Sequence, residues 1–215
     1  STNGTIVLTN TSNAVSNASF TAGGNVTFYD TAALELDGVS LSGNSLALTD
    51  TAAGGITQGS ASSNAIVVGA LSVTDAGGPI TLANSGNAVG SASFTAGGNV
   101  AFYDTSALTL NGASLSGHTL TLTDTNAGGI GQGSATSNAI IAATLNTTDV
   151  SGAITLANTS NSVGAVSFAA GGDVSFYDTA ALVLHGASLA GHTFALTDTA
   201  AGGISQSLAS SNAII

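Results

Sequence analysis

Phe20, Phe94 and Phe168 are evenly spaced (94 − 20 = 74 and 168 − 94 = 74), and the Phe-Tyr-Asp triplets beginning at Phe28, Phe102 and Phe176 keep the same interval. The segments NASFTAGGNVTFYD, ending at Asp30, and SASFTAGGNVAFYD, ending at Asp104, differ only at Asn17/Ser91 and Thr27/Ala101. A chain that repeats itself this closely folds either as separate beads or as one stack in which each unit packs on the next. The period divides it into units 1–67 (partial), 68–141 and 142–215, expected to form one continuous segment excerpted from a longer array.

Within a unit a shorter motif recurs, with apolar residues at alternate positions closed by Asn or Asp. It is seen at Ile80-Leu82-Asn84, Val100-Phe102-Asp104 and Leu120-Leu122-Asp124, in steps of 20, and next at Ile154-Leu156-Asn158 after a longer step (154 − 120 = 34). Alternation of this kind marks a strand with one buried face. Gly pairs at Gly23-Gly24, Gly54-Gly55 and Gly77-Gly78 supply sharp corners. Hairpin turns and linkers, the marks of a string of β-sandwich beads, are missing. The pattern therefore predicts an all-β parallel β-helix, a β-solenoid, in which each strand pairs with its equivalent one coil away at about 4.8 Å. Four coils per repeat average about 18.5 residues each and give a rod of roughly 56 Å.

Composition narrows the function. The chain has no Lys or Arg and 11 acidic residues, for a formal charge of −11. It cannot neutralise phosphates, which excludes nucleic acid and basic-patch binding to anionic lipid. Charged residues are 5% of the chain, against about 25% in typical domains. The shortfall is filled by Gly, Ala, Ser, Thr and Asn, a poor palette for helices. Bulky aliphatic residues recur throughout and mean hydropathy is +0.44, which argues against disorder. No apolar run reaches the roughly 18 residues of a membrane span. Cysteine is absent, so the fold holds without disulfides.

The stretches GGPITLANSGNAVGSASFTAGGNVAFYD and SGAITLANTSNSVGAVSFAAGGDVSFYD resemble the repeats of filamentous-haemagglutinin-like, two-partner-secreted adhesins and related bacterial β-strand-repeat proteins. The resemblance implies a right-handed parallel β-helix exported to the bacterial cell surface. There it would act in attachment or biofilm, with host-cell or matrix glycans or proteins as partners.

Eight of the carboxylates are phase-locked: Asp30, Asp104 and Asp178; Asp50, Asp124 and Asp198; Asp75 and Asp149. Such columns read first as structural corners, where Asp accepts backbone N–H bonds. If Asp30 and Asp50, Asp104 and Asp124, and Asp178 and Asp198 stack on adjacent coils, calcium is the cofactor that would relieve their repulsion. Otherwise no cofactor is expected. Glu35 and Asp37 have the spacing of an acid–base pair on one strand face, but their counterparts are Thr109 and Asn111, then Val183 and His185. His118, His185 and His192 are not at metal-ligand spacing. Thr119, Thr121 and Thr123 form a short ice-binding-like rank that the other units break. Tyr29, Tyr103 and Tyr177 each follow a core-facing Phe and are expected to project outward, as a sparse row for glycan or lateral contacts. The expectation is a non-catalytic, extracellular structural or adhesive rod, or a filament subunit stacking end to end with copies of itself. Uniform negative charge is expected to keep such rods apart.

Overall fold

A computed structural model describes residues 3–215; Ser1 and Thr2 of the first unit lie outside the described residues. The strands are, in chain order, β1 Ile6–Leu8, β2 Asn17–Thr21, β3 Val26–Tyr29, β4 Leu34–Ser40, β5 Ser45–Asp50, β6 Ile56–Gln58, β7 Ile66–Asp75, β8 Ile80–Leu82, β9 Ala88–Ala96 and β10 Val100–Asp104. They continue as β11 Leu108–Asp124, β12 Ile130–Gln132, β13 Ile140–Asp149, β14 Ile154–Leu156, β15 Ser162–Ala170, β16 Val174–Asp178, β17 Leu182–Ser188, β18 Phe194–Asp198 and β19 Ile204–Gln206. Short 3-10 turns at Ser62–Asn64, Thr136–Asn138 and Ser210–Asn212 fall at one phase of the repeat. All strand pairings among the described residues are parallel, and the chain forms a β-solenoid of about 10 turns with about 21 residues per turn.

The pairings resolve into two main ladders. One runs β1–β3–β5–β7–β9–β11–β12–β14–β16–β18. The other runs β2–β4–β6–β8–β10–β11–β13–β15–β17–β19. A short side pairing joins the end of β4 to the start of β7, Val39 to Ile66 and Ser40 to Val67. The 17-residue β11 belongs to both ladders: its first part pairs with β9 and β12, its last part with β10, and β13 pairs with both Ala113–Leu115 and Thr119–Asp124. At about 21 residues per turn, one repeat occupies about three and a half turns rather than four. Ten turns at about 4.8 Å make a rod of roughly 48 Å, shorter than the roughly 56 Å expected.

The half turn matters because it sends equivalent residues to opposite ladders. Phe28 lies in β3 of the first ladder, Phe102 in β10 of the second and Phe176 in β16 of the first. The core records the same exchange. Phe20 of β2 meets Phe28 with ring centroids 5.4 Å apart, and the equivalent pairs Phe94–Phe102 and Phe168–Phe176 are at 5.3 and 5.6 Å. Each pair bridges the two ladders across a core of buried Leu, Ile, Val and Phe that runs through the rod as one cluster. Strand alternation dictates this: Val100, Phe102 and Asp104 share one parity and are buried, while Ala101 and Tyr103 are only half-buried.

Each unit also carries a bulge. The register slips by one residue where Asp37-Gly38, Asn111-Gly112 and His185-Gly186 are inserted against β2, β9 and β15. Gly is required there: Gly38 has φ +99°, and a Cβ would stand 2.7 Å from the Ser63 carbonyl oxygen.

Candidate functional site

The aspartates at the strand ends form buried ladders. Asp50 pairs in register with Asp75, and Asp30 follows the Tyr29–Thr49 pair directly beneath Asp50, its N–H donating to the Thr49 carbonyl at 2.8 Å. Asp104, Asp124 and Asp149 pair in sequence on the opposite ladder, and Asp178 pairs with Asp198 back on the first. Asp75 and Asp149 are followed on the next turn by Ala96 and Ala170, which end those two columns. All but Asp198 are at most 1% exposed. They point inward because they continue the parity of the core residues before them.

Two bonding patterns alternate within these columns. In Asp30, Asp104 and Asp178 both oxygens are used. Oδ1 accepts from the N–H of Val15, Val89 and Val163 at 2.8–2.9 Å, and Oδ2 from that of Ala32, Ser106 and Ala180 at 3.1–3.2 Å. In Asp50, Asp75, Asp124, Asp149 and Asp198 only Oδ1 is engaged, accepting from N–H groups of the following corner such as Ala52, Gly78 and Gly152. The Oδ2 of each of these five is buried without a partner. Loss of solvent, opposed by the backbone donors, pushes Asp104 up to about 7 and Asp124 up to about 6. The same desolvation raises Asp50, Asp75, Asp149 and Asp178 above the usual carboxylate value. The neighbouring carboxylate adds to the rise at Asp50, Asp75, Asp104, Asp124 and Asp178. Two unit charges about 5 Å apart at an effective dielectric near 20 repel by roughly 3 kcal/mol.

The adjacent-turn pairs considered for calcium, Asp30/Asp50, Asp104/Asp124 and Asp178/Asp198, thus come together, and Asp75 and Asp149 join them. Yet among the described residues no group of three or more His, Cys, Asp or Glu side chains could hold a metal ion. The bonded oxygens face backbone N–H groups, whose positive ends already serve the carboxylates. Placement of the ladders also overturns the expected uniform negative surface. Eight of the 11 acids lie in the columns, which leaves Glu35, Asp37 and Asp173 as the other carboxylates. The outer surface therefore carries few charges; Ser, Thr, Asn and Gly are exposed along it together with Ala and scattered aliphatic residues such as Val67, Ile141 and Val150.

The remaining candidates are dispersed. Asp37 accepts from Asn17 Nδ2 and Asn64 Nδ2, both at 3.1 Å, while Glu35 sits two residues back, paired with Asn17 and Thr57. His192 Nδ1 lies 3.7 Å from an Asp173 carboxylate oxygen. Thr119, Thr121 and Thr123 are flanked on the next turn by Thr144, Asn146 and Thr148, and on the turn before by Ala101 and Tyr103, so no flat threonine rank forms. Tyr29 and Tyr177 lie on the first ladder and Tyr103 on the second. They are half-buried and alternate between two sides of the rod instead of forming a single row.

One feature escaped the sequence. At each bulge a groove opens between the strand carrying Phe20, Phe94 or Phe168 and the following 3-10 turn, with volumes of about 370, 230 and 420 Å³. Its lining combines Ser and Thr with the Phe and an aliphatic residue, Val67, Ile141 or Ile215, and includes a bulge residue that differs in each copy, Asp37, Asn111 or His185. The phase-locked positive-φ glycines Gly38, Gly112 and Gly186 were the available signal.

Comparison with curated proteins and with solved structures gives no match. A family described as repeats of unknown function (DUF5649) matches residues 23–96 and 97–169, adjoining segments whose starts differ by the same period (97 − 23 = 74). With a continuous parallel stack underlying that period, the chain belongs to this DUF5649 repeat family.

Proposed function

We propose that this chain is a length of extracellular, non-catalytic rod that displays repeated surface features for attachment. The observation that carries the reading is the three-and-a-half-turn repeat on one unbroken core. It places the same groove and the same half-buried tyrosine on opposite sides of the shaft at each successive unit. A rod built this way engages partners on both sides without a dedicated binding domain. Matrix or host-cell glycans suit the sparsely charged, hydroxyl-rich and amide-rich exterior, with Tyr29, Tyr103 and Tyr177 as stacking surfaces. The resemblance to filamentous-haemagglutinin-like repeats points the same way and suggests the bacterial cell surface. Absence of Lys and Arg removes every trypsin-type cleavage site, which suits exposure to proteases.

Glycan-array binding by the purified chain, compared with a variant carrying Tyr29→Ala, Tyr103→Ala and Tyr177→Ala, tests this. Binding that drops at least tenfold in the variant supports display; binding by neither protein overturns the glycan reading. A second reading, a filament subunit, is favoured by exposed apolar residues on the outermost turns, among them Val7, Leu8, Ile204 and Ile214. Further turns of the same array or of another copy would cover them. Electron microscopy separates the two, since rods that lengthen with concentration are polymers and rods of fixed length are shafts.

A further inference from the structure

We propose that the aspartate ladders are buried proton-holding sites. On this account carboxyl groups on successive turns share the columns partly protonated at neutral pH, and the rod is an acid-stabilised fold that weakens as the ladders are forced to ionise. The argument starts from geometry. Asp104, Asp124 and Asp149 are in register on consecutive parallel strands, at most 1% exposed, and two of them carry a buried Oδ2 with no donor. Asp50 and Asp75 repeat the arrangement on the opposite ladder. A buried carboxylate oxygen without a donor costs far more as an anion than as a neutral hydroxyl.

Among the described residues no ladder aspartate has a cationic partner. The chain has no Lys or Arg, and the charges influencing each ladder aspartate come from its own column: Asp124 on Asp104, Asp149 on Asp124, Asp30 on Asp50, Asp50 on Asp75 and Asp198 on Asp178. Beyond the ends of the middle column lie neutral groups. Ala170 follows Asp149, and two residues past the Leu82–Phe102 pair the column continues below Asp104 as Asn84. Backbone N–H groups bond Oδ1 of these aspartates and, in Asp104 and Asp178, Oδ2 as well; the Thr147 hydroxyl, buried on the same strand face two residues before Asp149, is a neutral polar group without a partner. Desolvation accordingly raises Asp50, Asp75, Asp104, Asp124, Asp149 and Asp178.

The sign follows from linkage. A carboxyl whose folded-state value lies above its unfolded value binds protons more tightly when folded, so its stabilising effect is complete below the unfolded value and is lost as pH rises through the folded one. With an ordinary value of 3.8 and folded values reaching about 7 at Asp104, stability declines between about pH 4 and about pH 8. The formal charge of −11 overstates the charge the folded rod carries at neutrality.

The test is denaturant unfolding of the full chain across that pH range, with potentiometric measurement of protons taken up on folding. Stability is expected to be highest near the acid end, and at least one proton to be bound on folding near neutral pH. Asp124→Asn keeps the acceptor for the Asn126 N–H and supplies a donor in place of the orphan oxygen, so it flattens the pH dependence and exceeds the parent in stability at the alkaline end. Asp149→Asn serves the same purpose if the first variant does not fold, and surface Asp37→Asn leaves the slope unchanged. Stability that is flat or rises with pH, or folding without proton uptake, overturns the proposal. So does full rescue at the alkaline end by added calcium, which would make a metal ion the neutralising partner.

Discussion

The rod has two kinds of buried polar corner, and they solve the same problem with different chemistry. At the amide corner, Gln132 Nε2 donates to the Asn138 carbonyl and Asn161 Oδ1, while its Oε1 accepts from the Asn158 N–H and Asn161 Nδ2. Asn161 Nδ2 also donates to the Leu156 and Tyr177 carbonyls, and its Oδ1 takes the Ile140 N–H. Gln58, Asn84 and Asn87 form the equivalent network one repeat earlier. Every strong donor and acceptor of these amides finds a partner, and none of them titrates. At the carboxylate corner an oxygen is left over, in Asp124 and Asp149 as in Asp50 and Asp75. The amide corner fixes where the coil bends at any pH, whereas the carboxylate corner does so at a cost that grows with ionisation.

Substitutions can break or sharpen that contrast. The largest effect is expected at the amide corner. Asn161→Ala strands the Gln132 amide, the Ile140 N–H and two carbonyls, and should cost roughly 3 kcal/mol or more at every pH, read from urea unfolding. Gly38→Ala, at the bulge, forces a side chain into a left-handed backbone against the Ser63 carbonyl and should cost about 1 to 3 kcal/mol, again without pH dependence. Asp124→Asn should have the opposite sign, with a gain of roughly 1 to 2 kcal/mol near pH 8 that vanishes toward pH 4. The smallest effect belongs to Asp37→Asn, on the exterior, where a change within about 0.5 kcal/mol is expected. A pH-dependent loss at Asn161 would erase the distinction between the corners.

Much of this architecture was readable in advance, and the part that was not has a specific cause. Ile80, Val100 and Leu120, evenly stepped in the sequence, lie above one another in consecutive strands. The longer jump to Ile154 looked like irregular spacing; it is a change of ladder. Leu120 is followed in its own column by Leu145 (145 − 120 = 25), and Ile154 sits above Ile130 on the other side. The length of the repeat cannot announce that it holds a half-integral number of turns, because the bulges and 3-10 turns vary the length of each coil. Stacking of Asp30 with Asp50 was legible from strand ends, while Asp75 was not seen to join them because the step that reaches it includes the Ser62–Asn64 turn. Burial of the acids was available from the parity of Val26, Phe28 and Asp30, but charge is read by habit as surface, and the grooves depend on main-chain bulges that side-chain patterns do not reveal.

The absence of cysteine makes disulfide trapping the most direct test of the central claim, that successive turns stack in parallel with about 21 residues each. Thr123 and Thr148 are in register on adjacent turns, both facing outward, at a spacing within the roughly 4.4–6.8 Å that a disulfide spans. The chain carrying Thr123→Cys and Thr148→Cys should close a disulfide on mild oxidation, and the chain carrying Thr123→Cys and Ile141→Cys, the partner that a coil of about 18.5 residues would supply, should not. Closure of the second pair in preference to the first, or of neither, would contradict the stack described for this rod.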